Sequence, residues 1–389
     1  MLSWDFPPRA TGGIAAQVSG LSAALAAAGH EVVVLTVADR PAELDAKPPP
    51  GVHVLRTLVD LPWLPPVEVV TRIASANHAV TKLGSRLRGD LAGWEPDVVH
   101  GHDWQLGWAA DSLAAQYDVP FVLTMHGTER VRHGGQLPLG HPTDINSIEW
   151  WLAFQADRMI APTRFLVEQL VIGFELDFDH ISHIPNGIDP SLWRPTGGVV
   201  APLRRRDPLV VSWGRVQYEK GFQVLARAIH ALRGRVPDVH GVIAGRGSYL
   251  PELQTQIDVE GVSDLIELPG FVADVELRHL VHRAGCVVIP SLYEPFGIVA
   301  LEALAAGAPL IVARTGGLAE LVVGTHAGVT FEPGNPDDLA DAIEQVLMND
   351  ELATILVANA RDLVERKYAW GAIARATAEV YASAQITAR

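Results

Sequence analysis

The chain is short of sulfur and of positive charge. One cysteine, Cys286, stands among 389 residues, so no internal disulfide framework can form and a reducing compartment fits. Cys286 opens the apolar run Cys286-Val287-Val288-Ile289 and reads as a small core hydrophobe, not a nucleophile. Lys and Arg number 30 against 45 Asp and Glu, a formal net charge of −15 that argues against nucleic acid as a partner. No apolar run reaches the roughly 18 residues of a membrane-spanning helix. Met1 to Pro8 has neither a basic segment nor the apolar core of a signal peptide, so the cytoplasm is the expected location. No acidic cluster or His/Cys ligand spacing that would hold a cation is apparent, so no metal and no other cofactor is expected. Gly245-Arg246-Gly247 lacks the third glycine of the dinucleotide fingerprint, which counts against an oxidoreductase.

What the chain does contain is a long alternation of strand and helix patterns. Its length predicts two or three domains, and 48% hydrophobic residues describe an ordered globular protein. Strands are expected at Leu2-Ser3-Trp4, Val32 to Val37, Val52 to Leu55, Asp97 to His100, Phe121 to Met125, Arg158 to Ala161 and His183 to Pro185. A helix is expected over Thr71 to Leu91. A second series starts at Leu209 to Trp213 and continues through Gly241 to Ala244, Leu265 to Pro269, Cys286 to Ile289 and Pro309 to Ala313. Such alternation predicts an α/β fold with parallel sheets covered on both faces and ligands beyond the carboxyl ends of the strands. The expected division is an N-terminal domain over 1–195, a Pro/Gly-rich linker over 196–208, a C-terminal domain over 209–368 and a helical tail over 369–389. The run Arg204-Arg205-Arg206 reads as solvated linker charge.

The stretch Pro290 to Glu302 carries the strongest chemical signal. A strand, a tight turn at Glu294-Pro295-Phe296-Gly297 and a helix N-terminus make an anion site, because unpaired N–H groups and the positive end of the helix dipole point at whatever lies above the turn. Glu294 and Glu302 bracket it. Arg215 and Lys220, on the loop after Leu209 to Trp213, can neutralise a diphosphate without a metal, and taken alone they equally fit a surface ion pair. Glu302 can hold ribose hydroxyls, or serve only as a carboxylate favoured by the helix dipole. Glu294 can hold sugar hydroxyls or stabilise an oxocarbenium-like centre, and a plain turn residue fits its position equally. His126 and Asp103 fall at strand ends in the first half. With 15 histidines in the chain, spacing alone favours a structural role for His126. The loop Thr11-Gly12-Gly13-Ile14 lets backbone approach a ligand closely, and would be ordinary as a turn.

These segments together resemble glycosyltransferase family 4, retaining enzymes of the GT-B fold. The residues that carry the resemblance are Ser3 to Pro8 with Thr11-Gly12-Gly13, His100-Gly101-His102-Asp103-Trp104, Met125 to Thr128, Asn186 to Asp189, Gly214-Arg215, Glu219-Lys220-Gly221 and Glu294 to Glu302. The set is similar to the glycogen/starch synthase-like branch and, within it, to actinobacterial α-1,4-glucosyltransferases of glycogen or methylglucose lipopolysaccharide synthesis. The resemblance implies two Rossmann-like domains whose parallel sheets face an interdomain cleft, an acceptor-side first domain, and a last helix that crosses back to it. It implies a hexosyltransferase that moves glucose from UDP-glucose or ADP-glucose to the non-reducing end of an α-1,4-glucan or related oligosaccharide. Arg215 and Lys220 would bind the diphosphate, and Glu302 the ribose. Backbone amides of Phe296, Gly297 and Ile298 would bind the distal phosphate and sugar, with Gly12 and Gly13 also on the donor. His126, Glu294 and Asp103 would contact the transferred sugar. Retention would follow from same-face attack assisted by the leaving phosphate. Ala10 replaces the lysine that the longer glycogen and starch synthases carry, which leaves UDP-glucose at least as fitting a donor as ADP-glucose. The family's first strand has more apolar residues than Met1-Leu2, so a short edge strand or a start placed downstream is expected. Alternatives are a family 4 enzyme acting on a lipid or small-molecule acceptor, with peripheral membrane contact through Lys82, Arg86 and Arg88, and a non-catalytic nucleotide-sugar sensor.

Overall fold

A computed structural model describes residues 1–9, 13–59, 68–194 and 207–387. They form two compact units, Met1–Gly187 with Trp370–Arg389, and Ile188–Ala369. The first unit holds strands β1 (Leu2–Ser3), β2 (Val32–Ala38), β3 (Val52–Leu58), β4 (Val99–His102), β5 (Phe121–Thr124), β6 (Arg158–Ala161) and β7 (Ile181–His183). All pair in parallel, in the order β3-β2-β1-β4-β5-β6-β7. Every residue of β2 is buried, which is why Val-Val-Val-Leu-Thr-Val-Ala reads as a continuous apolar run with no in/out alternation.

The helix Gly13–Ala27 buries Val18, Leu21 and Leu25, which cluster with Ile373, Ala374 and Val380 of the tail helix Trp370–Thr387. Trp370 anchors that tail. Its indole fills space that a Cβ on Gly20 would enter at 2.2 Å and one on Gly187 at 2.5 Å.

The second unit holds β8 (Asp207–Trp213), β9 (His240–Ala244), β10 (Ile266–Gly270), β11 (Ala284–Ile289), β12 (Leu310–Ala313) and β13 (Val329–Phe331), all parallel, in the order β10-β9-β8-β11-β12-β13. Alternation places Val211, Val287 and Ile289 in one core layer and Val210, Cys286 and Val288 in the other. Burial pushes the Cys286 thiol up to about 12, so it is inert at neutral pH.

Five sequence expectations shift. β1 is central between β2 and β4, not an edge strand. The helical stretch at Thr71 to Leu91 is two helices, Val69–Gly84 and Leu87–Asp90, and β7 precedes Ile184-Pro185. Ile188 to Arg194 belong to the second unit, because the Ile188 N–H donates to the Tyr368 carbonyl at 2.9 Å. Of the expected linker, residues 196–206 lie outside the described residues, while Asp207 and Pro208 open β8, whose Asp207 pairs with Ala284.

In both sheets the strand order reverses at one point, between β1 and β4 in the first unit and between β8 and β11 in the second. In open parallel sheets this reversal opens a crevice at the carboxyl ends of the strands. The loops after β4, β8 and β11 therefore lie where ligands bind. No helix among the described residues is long and apolar enough to cross a membrane.

Candidate functional site

In the second unit, the loops after β8 and β11 interlock. After β8, Tyr218–Lys220 make a short turn that ends at Gly221 with φ +70°. A Cβ on Gly221 would stand 1.8 Å from the Pro290 carbonyl oxygen, so only glycine lets the two loops close to this distance. The Leu292 N–H donates to the Glu219 carbonyl at 2.8 Å and ties the loops directly. Lys220 Nζ then donates to Glu294 Oε2 at 2.7 Å, and Ser291 Oγ donates to the same oxygen at 3.2 Å.

The turn is supported from below. The Gly317 N–H donates to the Glu294 carbonyl at 3.0 Å, and a Cβ on Gly317 would meet the Pro295 carbonyl at 2.5 Å. The missing side chain of Gly317 thus lets the turn close on the start of the helix Gly316–Val322. Gly297, at φ +95°, begins the helix Ile298–Ala306, and Gly307 at φ +70° ends it. No side chain caps the helix start, so its first amides keep their capacity for an anion. Phe296 is buried and meets Tyr368 edge-on at 6.5 Å, so the residue offers backbone and not side chain to the turn.

Glu302, one turn into that helix, accepts from Trp213 Nε1 at 3.2 Å. Burial first, and then Asp274, raise its carboxyl to about 7 against the opposing indole bond. Arg215 is exposed and has no side-chain partner among the described residues.

In the first unit, Asp103 follows β4 with φ +55°, its N–H donating to the Thr124 carbonyl at 2.8 Å. Its Oδ1 accepts the His126 backbone N–H at 2.7 Å, so Asp103 shapes the turn that presents His126. Burial raises the Asp103 carboxyl and lowers the His126 ring, and each partly offsets the other through its charge. His126 Nε2 lies 3.2 Å from His102 Nδ1. Thr128 then caps the short helix Glu129–Arg132, and the Glu129 N–H donates to both oxygens of buried Glu149, at 3.1 and 2.9 Å. Gly13 opens its helix, whereas Gly12, Thr11 and Ala10 lie outside the described residues.

The structure therefore brings Lys220, Glu294 and the Phe296-Gly297-Ile298 turn together, and separately Asp103 with His126. Sequence reasoning missed Trp213, Ser291, Glu149 and His102 as partners. Ser291 lies in the stretch already singled out and Trp213 immediately precedes Gly214-Arg215, so adjacency was a usable signal for both. Glu149 reaches its partner across 20 residues, and no local pattern marks it. Among the described residues no three His, Cys, Asp or Glu side chains are grouped to hold a metal.

Residues 11–192 match the family model described as Glycosyltransferase Family 4, and residues 200–363 the one described as Glycosyl transferases group 1. The chain is similar to a glycogen synthase of Mycobacterium tuberculosis, 35% identical over 99% of this chain and 94% of that one. It is also similar to a D-inositol 3-phosphate glycosyltransferase of an Arthrobacter species, 30% identical over 96% and 90%. Among solved structures, sucrose-phosphate synthase from Thermosynechococcus elongatus superposes with a TM-score of 0.81 at 23% identity, over 98% of this chain and 97% of that one. Two parallel Rossmann-like units with these relatives define a GT-B hexosyltransferase, and the chain belongs to glycosyltransferase family 4.

Proposed function

We propose that the enzyme transfers glucose from UDP-glucose or ADP-glucose to the non-reducing end of an α-1,4-glucan or related oligosaccharide, with retention of configuration. The observation that carries this reading is the Lys220–Glu294 pair set at an uncapped helix start beside the sheet reversal of the second unit. A cation and a set of free amides suit the two phosphates of the donor, while a carboxylate held at 2.7 Å from that cation suits the hydroxyls of the attached hexose.

Lys220 and Arg215 neutralise the leaving diphosphate. The amides of Phe296, Gly297 and Ile298 take the distal phosphate, Glu302 the ribose, and Glu294 the hexose. His126 donates to the hexose, and Asp103 holds the His126 turn for it. As the glycosidic bond breaks, charge grows on the leaving phosphate, where Lys220 and Arg215 are aimed. That phosphate in turn takes the proton of the acceptor hydroxyl attacking on the same face, and no metal takes part. The reaction needs only solutes of the cytoplasm, where we place the enzyme. The mycobacterial glycogen synthase, similar over almost the whole chain, supports the glucan acceptor.

A second reading, transfer to a small phosphorylated polyol, is favoured by the similarity to the inositol phosphate enzyme. Nucleotide release from both donors, assayed against maltooligosaccharides and against inositol phosphate, separates the two readings. Release that depends on maltooligosaccharide supports the first. Release with inositol phosphate alone replaces it with the second. His126→Ala, Glu294→Ala and Lys220→Ala should each lower turnover about a hundredfold or more in a folded protein, and near-wild-type rates in all three would remove the proposed site.

A further inference from the structure

We propose that His102 is a positioning residue that decides which nitrogen of His126 carries the proton offered to the sugar. This rests on the reading of His126 as a hydrogen-bond donor to the hexose. His102 Nδ1 and His126 Nε2 lie 3.2 Å apart with the rings nearly parallel, 20° between planes. His102 is 3% exposed, and its Nε2 is buried with no hydrogen-bond partner among the described residues. Burial lowers both rings, so both are neutral near pH 7.

Two neutral imidazoles that share one N–H···N contact have only two arrangements. In the first, His102 Nδ1–H donates to His126 Nε2. The proton of His126 then sits on Nδ1, and a bare lone pair is left at His102 Nε2. In the second, His126 Nε2–H donates, His126 Nδ1 is bare, and an N–H is stranded at His102 Nε2. A stranded buried N–H is the rarer defect in folded proteins, so the first arrangement prevails. His126 then presents Nδ1–H as a donor.

Two neighbouring groups leave this choice to His102. Both nitrogens of His100 are committed, to Thr124 Oγ1 and to the Tyr381 hydroxyl, each at 2.7 Å. Asp103 Oδ1 holds the His126 backbone and leaves the ring unassigned.

The full-length chain labelled with ¹⁵N-histidine reads the tautomer directly, with the His126 signals identified by their loss in His126→Ala. Wild type should show His126 protonated at Nδ1. His102→Phe, which keeps a ring but no donor, should shift the proton to Nε2. In turnover assays His102→Asn, which returns an amide N–H to the Nδ1 position, should stay within about threefold of wild type. His102→Phe and His102→Asp should lower kcat about tenfold, with the donor KM within about twofold, the scale of one lost hydrogen bond. In a His126→Ala background, His102→Phe should add nothing further.

Wild-type His126 protonated at Nε2 overturns the inference even where the variants fail to fold. So does wild-type kcat in His102→Phe while His126→Ala is inactive. Wild-type rates in His126→Ala instead remove the role of His126 itself.

Discussion

Alanine at Gly221 should be far more damaging than alanine at another glycine of similar backbone geometry. Gly221 and Gly261 sit at φ +70° and +68°, so a side chain at either incurs the left-handed penalty of about 1–2 kcal/mol. At Gly261 nothing lies within 4 Å of the added Cβ, and the penalty ends there. At Gly221 the Cβ meets the Pro290 carbonyl oxygen at 1.8 Å and its carbon at 2.7 Å. Those are backbone atoms, held just past β11 and tied by the Leu292–Glu219 bond, so relief requires moving the loop itself. Overpacking of this kind costs about 1–3 kcal/mol more. For a unit of this size each kcal/mol shifts the midpoint by about 2–4 °C, so Gly221→Ala should melt roughly 2–12 °C below Gly261→Ala. Differential scanning fluorimetry of both variants measures the gap, and turnover below either midpoint measures its consequence. Because Lys220 adjoins the displaced residue, Gly221→Ala should also lose most activity while Gly261→Ala keeps it. Equal midpoints and equal rates for the two variants would refute the interlocked-loop reasoning.

Lys220→Met should lower kcat/KM about 10²- to 10³-fold, the usual consequence of removing one preorganised charge from a developing anion, and steady-state rates against wild type check it. Glu302 has its folded carboxyl raised to about 7, so between the ordinary carboxylate range and pH 7 the folded chain holds a proton that the unfolded chain has lost. Stability from this group is therefore fully present at acid pH and falls as pH rises through that window. Glu302→Gln should flatten the slope and, allowing for partial exposure, raise stability at pH 8 by about 1–2 kcal/mol, while weakening nucleotide diphosphate binding about tenfold. Melting curves parallel to wild type from pH 5 to 8.5 would show that the carboxyl titrates normally. Glu149→Ala strips both acceptors from the Glu129 N–H and should cost about 1–3 kcal/mol, with kcat reduced through the His126 loop; an unchanged midpoint would mean that the bond is immaterial.

Much of the fold was legible because parallel strands buried on both faces write themselves as short β-branched runs. Val32 to Val37 and Phe121 to Met125 were placed within a residue or so of β2 and β5. The helix start after Gly297 was legible from the turn that precedes it, and Gly297 adopts left-handed backbone. Strand order was not legible. Leu2–Ser3 is too short to announce a central position, which comes from its pairing with β2 and β4 far along the chain. The candidate site divides in the same way. Glu294 and Lys220 stood out through loop chemistry, but their contact spans 74 residues and follows from the collision-free fit at Gly221. His102 lies in a segment that carries the resemblance, but its contact with the His126 ring spans 24 residues and no local pattern marks it.

The most direct test of the central claim is the product itself. Incubation with UDP-glucose or ADP-glucose and maltohexaose, followed by NMR of the lengthened chain, should show one α-1,4-linked glucose added at the non-reducing end per nucleoside diphosphate released, with Lys220→Met forming that product about 10²- to 10³-fold more slowly. A β-linked product, or no transfer from either donor to any glucan primer, would contradict the account.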